Sequence, residues 1–176
     1  MQTSSNDVGP SIQLSNGFVV PRQVMCHATS LRKASRRITQ LYDVVLAPCG
    51  LRSTQRSIMM QIGRGTTPAM SELAAALVLD RSALAHNLKP LERDGYVRVA
   101  VDPQDKRSRL VTLTAQGENK LADSQRLWEQ AQVSFESALG PEQANEMRES
   151  LRLISAASYP QVLEQVGRAV PAPVPA

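Results

Sequence analysis

Aromatic side chains are scarce in this chain: one Trp, three Tyr and two Phe among 176 residues. Any core must therefore be filled by Leu, Ala, Val, Ile and Met. Cysteine is limited to Cys26 and Cys49, too few for a disulfide framework. Together with His27 and His86, the sole histidines, they fit no zinc spacing. So few histidines also leave no nucleophile, base and orienting group in sight, so an enzyme is not expected, and neither is a cofactor. No apolar run approaches the roughly 18 residues of a membrane span. The opening MQTSSNDVGPSIQLSNG lacks the basic start and apolar centre of a signal peptide. These absences predict a cytoplasmic protein with no membrane partner.

What is present suits one mainly helical domain. Apolar residues make up 42% of the chain, rich in Ala and Leu, while alternating β-branched runs are few. Charge is unevenly spread. Residues 1–112 hold 15 Lys/Arg against 8 Asp/Glu, a balance of +7, and residues 113–176 hold 5 against 8, a balance of −3. Such asymmetry is expected when one part of a chain faces phosphates and another a protein partner.

Residues 1–22 are rich in turn formers, with little periodicity, and predict a flexible arm. Leu31, Ala34, Ile38, Leu41 and Val45 recur at helical steps, predicting a helix over 25–47 with Arg32, Lys33, Arg36 and Arg37 opposite. A second helix is expected over 52–62, with Ile58, Met59 and Ile62 inward. From 114 to about 139, Leu121, Ser124, Trp128, Ala131, Phe135 and Ala138 keep the spacing of a helix-packing seam. Gly140 and Pro141 separate this from a last helix with Ala144, Met147, Leu151 and Ile154. These seams exceed what one small domain needs to cover, and point to a homodimer. The Pro/Ala-rich tail, 159–176, is expected to be loose.

The centre of the chain, Met70 to Gly117, orders two short helices on a tight turn, then two strands around a charged loop. Ser71 is expected to cap the first helix and Asp80 the second. Leu84, Leu88 and Leu91 fall on one face of the second helix. Arg81, Ser82, Ala85, His86 and Lys89 are left outward, polar or small as a helix in a major groove requires. Pro90 removes one ladder bond and predicts a bend. Asp94-Gly95 closes the helix, 96–101 alternates as a strand, Asp102-Pro103-Gln104-Asp105 turns, and 110–113 returns. The fold class is mainly α (α+β): a winged helix-turn-helix over about 52–117, within a domain of 23–158. The helices over about 25–47 and 114–158, from both ends of the chain, form its dimerisation region.

Three segments carry a family resemblance: GLRSTQ, SELAAALVLDRSALAHNLKPLERDGYV and DPQDKRSRLVTLTAQG. Over about Met25 to Ser155 the chain resembles the MarR family of bacterial transcriptional regulators. The resemblance implies a winged helix-turn-helix homodimer on a pseudo-palindromic stretch of double-stranded DNA, usually as a repressor. Many members release DNA on binding a small aromatic acid or on cysteine oxidation. Ser82, Ala83 and His86 match base-contacting positions, although members often carry Thr and Arg at the last two. Arg107 matches the wing arginine of the minor groove, and Asp105 the carboxylate that positions it. Lys106 and Arg109 flank it, the alternative for Arg109 being a pair with Asp102. Arg64 and Ser71 are expected phosphate contacts.

Two signals compete. Lys33, Arg36 and Ser53 match positions that contact salicylate-like ligands in similar regulators, which implies a small aromatic carboxylate as effector. Cys26 lies near the place where peroxide-sensing relatives carry a reactive cysteine, but two residues early. A helix over 26–47 is about 30 Å long, and a disulfide needs Cα atoms within about 7 Å. Cys26 and Cys49 could therefore be joined only between subunits. A protein that binds other proteins and not DNA is the more remote alternative; it would leave the wing arginines idle.

Overall fold

A computed structural model describes residues 12–13, 19–20, 26–65, 67–156, 161 and 164. The elements, in chain order, are β1 (Ile12–Gln13), β2 (Val19–Val20), α1 (His27–Leu46), a 3-10 turn (Ala47–Cys49), α2 (Ser53–Gly63), α3 (Met70–Ala76), α4 (Arg81–Arg93), β3 (Val97–Val101), β4 (Arg109–Leu113), α5 (Ala115–Asp123), α6 (Gln125–Leu139) and α7 (Pro141–Ile154). The chain divides into two compact units, 1–40 and 41–176.

In the first unit the arm is not without regular structure. β1 and β2 pair antiparallel, Ile12 opposite Val20 and Gln13 opposite Val19. The first turns of α1 carry Arg32, Lys33, Arg36 and Arg37 in the open, but Leu31 and Ala34 of the expected inward face are exposed as well. The tail beyond 156 lies outside the described residues apart from Gln161 and Glu164.

The second unit is organised around one core. Leu51, Ile58, Met59 and Ile62 meet Leu73 and Ala74 of α3, Leu84, Leu88 and Leu91 of α4, and Val97 and Val111 of the strands. Each fully buried Leu or Ile contributes about 1.5–3 kcal/mol by leaving water. The three leucines of α4 therefore hold that helix firmly, with its other face outward. Asp80 caps α4, its carboxylate accepting the Ala83 N–H at 2.7 Å. The helix runs through Pro90 without a break and closes on Gly95, whose φ of +75° suits a residue without a side chain.

Three sequence expectations are corrected here. Ser71 is not a cap: α3 starts at Met70, Ala69 takes the cap position, and Glu72 Oε2 accepts the Ala69 N–H at 2.9 Å. The helix expected over 114–139 is two helices, because Ser124 interrupts it. Its Oγ donates to the Leu121 carbonyl (2.6 Å) and accepts from Arg56 Nε (3.0 Å), so a tertiary bond occupies the step between α5 and α6. The wing, too, is more than a hairpin. β3 and β4 pair in register from Val97–Leu113 to Val101–Arg109, and Ala69 bridges Leu110 on the other edge of β4. The Val111 N–H donates to the Pro68 carbonyl at 3.0 Å, which ties the lead-in of α3 to the wing. Thr114 caps α5 as expected, accepting the Gly117 N–H at 3.0 Å.

Candidate functional site

Burial of Leu84, Leu88 and Leu91 decides what α4 can show to a partner. Arg81, Ser82, His86 and Lys89 are exposed, with Ala83 and Ala85 half-buried between them. Ser82, His86 and Lys89 succeed one another at four- and three-residue steps, so they line one stripe of the helix. The Ala83 N–H is taken by the cap, leaving its methyl as the surface it offers. Asn87, next to the stripe, has its amide nitrogen bound back to the Ala83 carbonyl at 2.8 Å.

The wing loop is built by its own carboxylates. Asp102 Oδ1 accepts the Gln104 N–H (2.8 Å) and Asp105 Oδ1 accepts the Arg107 N–H (2.9 Å). Asp105 thus holds the main chain at Arg107 and leaves the guanidinium outward. Arg109 does not pair with Asp102. Its Nη1 donates to the carbonyls of Lys106 and Ser108, at 3.2 and 3.1 Å, and so braces the loop. Lys106, Arg107 and Arg109 are exposed, as is Arg64 just beyond α2. Among the described residues the ion pairs join Arg93 to Asp94, Arg148 to Glu136 and Arg152 to Glu149. None involves Arg81 or Lys89 of α4, the wing cations or Arg64, so no carboxylate among the described residues pairs with them.

The second unit also has a cavity of about 340 Å³, partly open to solvent. Tyr42, Ser53, Arg56, Ser57, Arg64 and Trp128 contribute to its wall. Of the three residues expected at an effector site, Ser53 is therefore on the wall of this cavity, whereas Lys33 and Arg36 belong to the first unit and are exposed. Ser53 is itself held: its N–H and Oγ both donate to Asp43 Oδ1 at 2.7 Å, which serves the otherwise open start of α2. Tyr42 donates its hydroxyl to Gln132 Oε1. Burial, with the Glu136 carboxylate adding to it, pushes that phenol's pKa up, so it stays a neutral donor.

Arg56 is the residue that sequence reasoning missed. It is 4% exposed, its guanidinium lies 4.7 Å over the Trp128 ring, and its Nη2 donates to Gln125 Oε1 at 2.7 Å. Burial draws its pKa down from the ordinary arginine value. The clue was spacing: Arg56 stands three before Met59 and so shares the inward face of α2. Its charge argued for the outside.

Cys26 is exposed and precedes the first residue of α1. Hydrogen bonds from the Thr29 main chain, the Thr29 side chain and the Ala28 main chain favour its thiolate and lower its pKa. Cys49 is half-buried, its thiol donating to the Leu46 carbonyl at 3.0 Å, and both cysteines are free.

A core-anchored helix with a polar stripe, set against a β-wing tipped with unpaired cations, defines a winged helix-turn-helix of the DNA-reading kind. The family model for the MarR family matches residues 50–108. The chain is 32% identical to the M. tuberculosis transcriptional regulator MosR, solved in complex with DNA; the match covers 80% of this chain and 98% of that one, with a TM-score of 0.68. It is 37% identical over 71 residues to the transcriptional activatory protein BadR of Rhodopseudomonas palustris. That stretch is 39% of this chain and 41% of the curated relative's length. CouR of Rhodococcus jostii RHA1, solved with p-coumaroyl-CoA, is 20% identical over 76% of this chain and 94% of its own, with a TM-score of 0.64, and shares the fold. The chain belongs to the MarR family of transcriptional regulators. It is a regulator and not an enzyme.

Proposed function

We propose that this regulator binds a pseudo-palindromic operator as a homodimer, represses transcription there, and lets go when a small aromatic carboxylate binds. The observation that carries the DNA reading is the pairing of an open α4 stripe with a wing whose cations make no ion pair among the described residues. Ser82, Ala83 and His86 face base edges, and Arg81 and Lys89 flank them. Arg107, set by Asp105, enters the minor groove, with Lys106 and Arg109 beside it. Arg64 and Ser71 contact phosphates. Support for a dimer comes from apolar side chains left exposed in a single chain, among them Leu139, Leu151, Leu153 and Ile154.

The test is a mobility shift with the protein's own upstream DNA at two salt concentrations. Binding should weaken steeply with salt, and Arg107→Ala should lower both the affinity and the salt slope, the latter by about one unit. No binding at either salt would sink the reading and favour a protein-binding role. Because BadR is by name an activator, a reporter assay with the gene deleted must decide the sign: repression predicts a rise in transcription.

For the effector, Ser53 at the wall of the cavity supports the organic-anion reading; Lys33 and Arg36, which the resemblance also implies, are exposed on the first unit. A second reading rests on Cys26, whose exposed, thiolate-favouring position suits oxidation. The two separate cleanly. If peroxide releases DNA from the wild type but not from Cys26→Ser, the carboxylate reading gives way to redox sensing.

A further inference from the structure

The stripe that α4 presents has one planar side chain at its centre. Ser82 lies one turn before His86 and Lys89 one turn after it, and all three are exposed. Asn87, the other planar residue nearby, is withdrawn, since its amide nitrogen is bound to the Ala83 carbonyl at 2.8 Å. Ala83 and Ala85 are small and half-buried, so they leave the ring room. His86 itself makes no hydrogen bond or ion pair among the described residues.

Nor does the protein set an anion beside the ring. The helical neighbours of His86 are Ser82, Ala83, Lys89 and Pro90, none a carboxylate. On the rest of α4, Asp80 accepts the Ala83 N–H and Arg93 pairs with Asp94, while Arg81 and Glu92 stand five and six residues away. α4 packs on α2, α3 and β3. Their charged residues are Arg56, bound to Ser124 and Gln125; Glu72, whose carboxylate accepts the Ala69 N–H; and Arg98. No carboxylate of the fold holds a proton on this ring, whereas the phosphates of a duplex favour one.

We propose that His86 selects a guanine in each operator half-site, and does so as the imidazolium, so that operator affinity and base preference both depend on pH. The inference rests on the DNA reading given above and names the base and the regulation at that site. Histidine is the side chain that changes charge between about pH 5 and 8. Protonated, it offers two N–H donors and no acceptor. In the major groove guanine presents two adjacent acceptors, N7 and O6, whereas adenine sets an amino donor beside N7 and thymine a methyl beside O4. A cationic donor therefore favours guanine. The neutral ring has one donor and one acceptor, and the preference weakens. Because phosphates favour the charged form, binding takes up a proton at each subunit, and affinity rises as pH falls.

The test is a mobility shift of the full chain on its own upstream DNA at about pH 6 and pH 8, at constant ionic strength. Wild type should bind about tenfold more tightly at the lower pH, and His86→Gln should bind equally at both. Since His86 is exposed and unbonded, Gln there leaves the fold intact. His27→Gln, which alters the only other histidine, should keep the wild-type pH dependence. Guanines of the bound half-site are then replaced one at a time by deazaguanine, which lacks N7. One replacement should cost wild type about five- to tenfold at the lower pH and leave His86→Gln unaffected. The proposal is overturned if wild type binds equally at both pH values, or if His86→Gln keeps the pH dependence. It is overturned as well if no replacement separates wild type from His86→Gln. If wild type binds no DNA at either pH, the DNA reading falls and the proposal with it.

Discussion

Val78 occupies the turn between the two helices of the reading module with a φ of +53°, a backbone region that β-branched residues avoid, and its side chain is 73% exposed. No packing offsets a left-handed strain of about 1–2 kcal/mol. Val78→Gly should therefore raise stability by about 0.5–1 kcal/mol, net of the greater freedom glycine has when unfolded, as read from the denaturant midpoint. Gly117 is the opposite case. A Cβ there would collide with the Tyr96 carbonyl oxygen, which is main chain and cannot swing aside. Gly117→Ala should cost about 1–3 kcal/mol and loosen the seat of the wing on α5, measurable in the same experiment. At Cys26 the lowered pKa means that thiolate persists to lower pH than in the unfolded chain. The pH profile of its alkylation by iodoacetamide should lie to lower pH in native protein than in urea. An unshifted profile would remove the physical support for redox sensing.

Among the elements, α4 is the most completely specified by local rules. Asp80 caps it, its apolar stripe is buried, and Gly95 closes it. Asp80→Ala should cost about 1 kcal/mol. DNA affinity should fall with it, because the first turn, carrying Ser82 and Ala83, would fray. A variant of unchanged stability would show that the cap is idle. The sequence periodicity foresaw this helix, the wing strands to within a residue at most ends, and the Gly140–Pro141 break. It did not foresee the interruption at Ser124, since the 3–4 spacing of Leu121, Ser124, Trp128 and Ala131 is satisfied by one continuous helix. Nor could it foresee the Ala69–Leu110 bridge, where a single extended residue pairs across some 40 positions.

For the whole molecule, the charge partition anticipated by composition has a structural counterpart. Arg81 and Lys89 of α4, the wing cations and Arg64 make no ion pair among the described residues, while two of the three ion pairs found there, Arg148–Glu136 and Arg152–Glu149, lie in the carboxyl-terminal helices. The exposed Leu151 and Ile154 belong to the same helix, α7, as the seam spacing predicts for a surface awaiting a second copy. Leu151→Asp should shift the protein towards the monomer in sedimentation velocity. It should also weaken binding to a full operator far more than to a half-site, because only a dimer spans both. Unchanged sedimentation would place the dimer contact elsewhere.

What the sequence by itself determined is what depends on neighbours within a turn or a strand: helix periods, caps, the wing's turn chemistry and the polar stripe of α4. Those signals are short-range, so one chain suffices to read them. The cavity was decided only by tertiary structure. Arg56 stands about 70 positions from Ser124 and Trp128, and nothing in that spacing says that a guanidinium will be drawn inside to meet a hydroxyl and an indole. Ser53 was found by resemblance, but its bond to Asp43 and its place on the cavity wall came from how α1 ends against α2. Burial of a charge depends on which partners the whole fold can bring to it, and that is a property no local pattern carries.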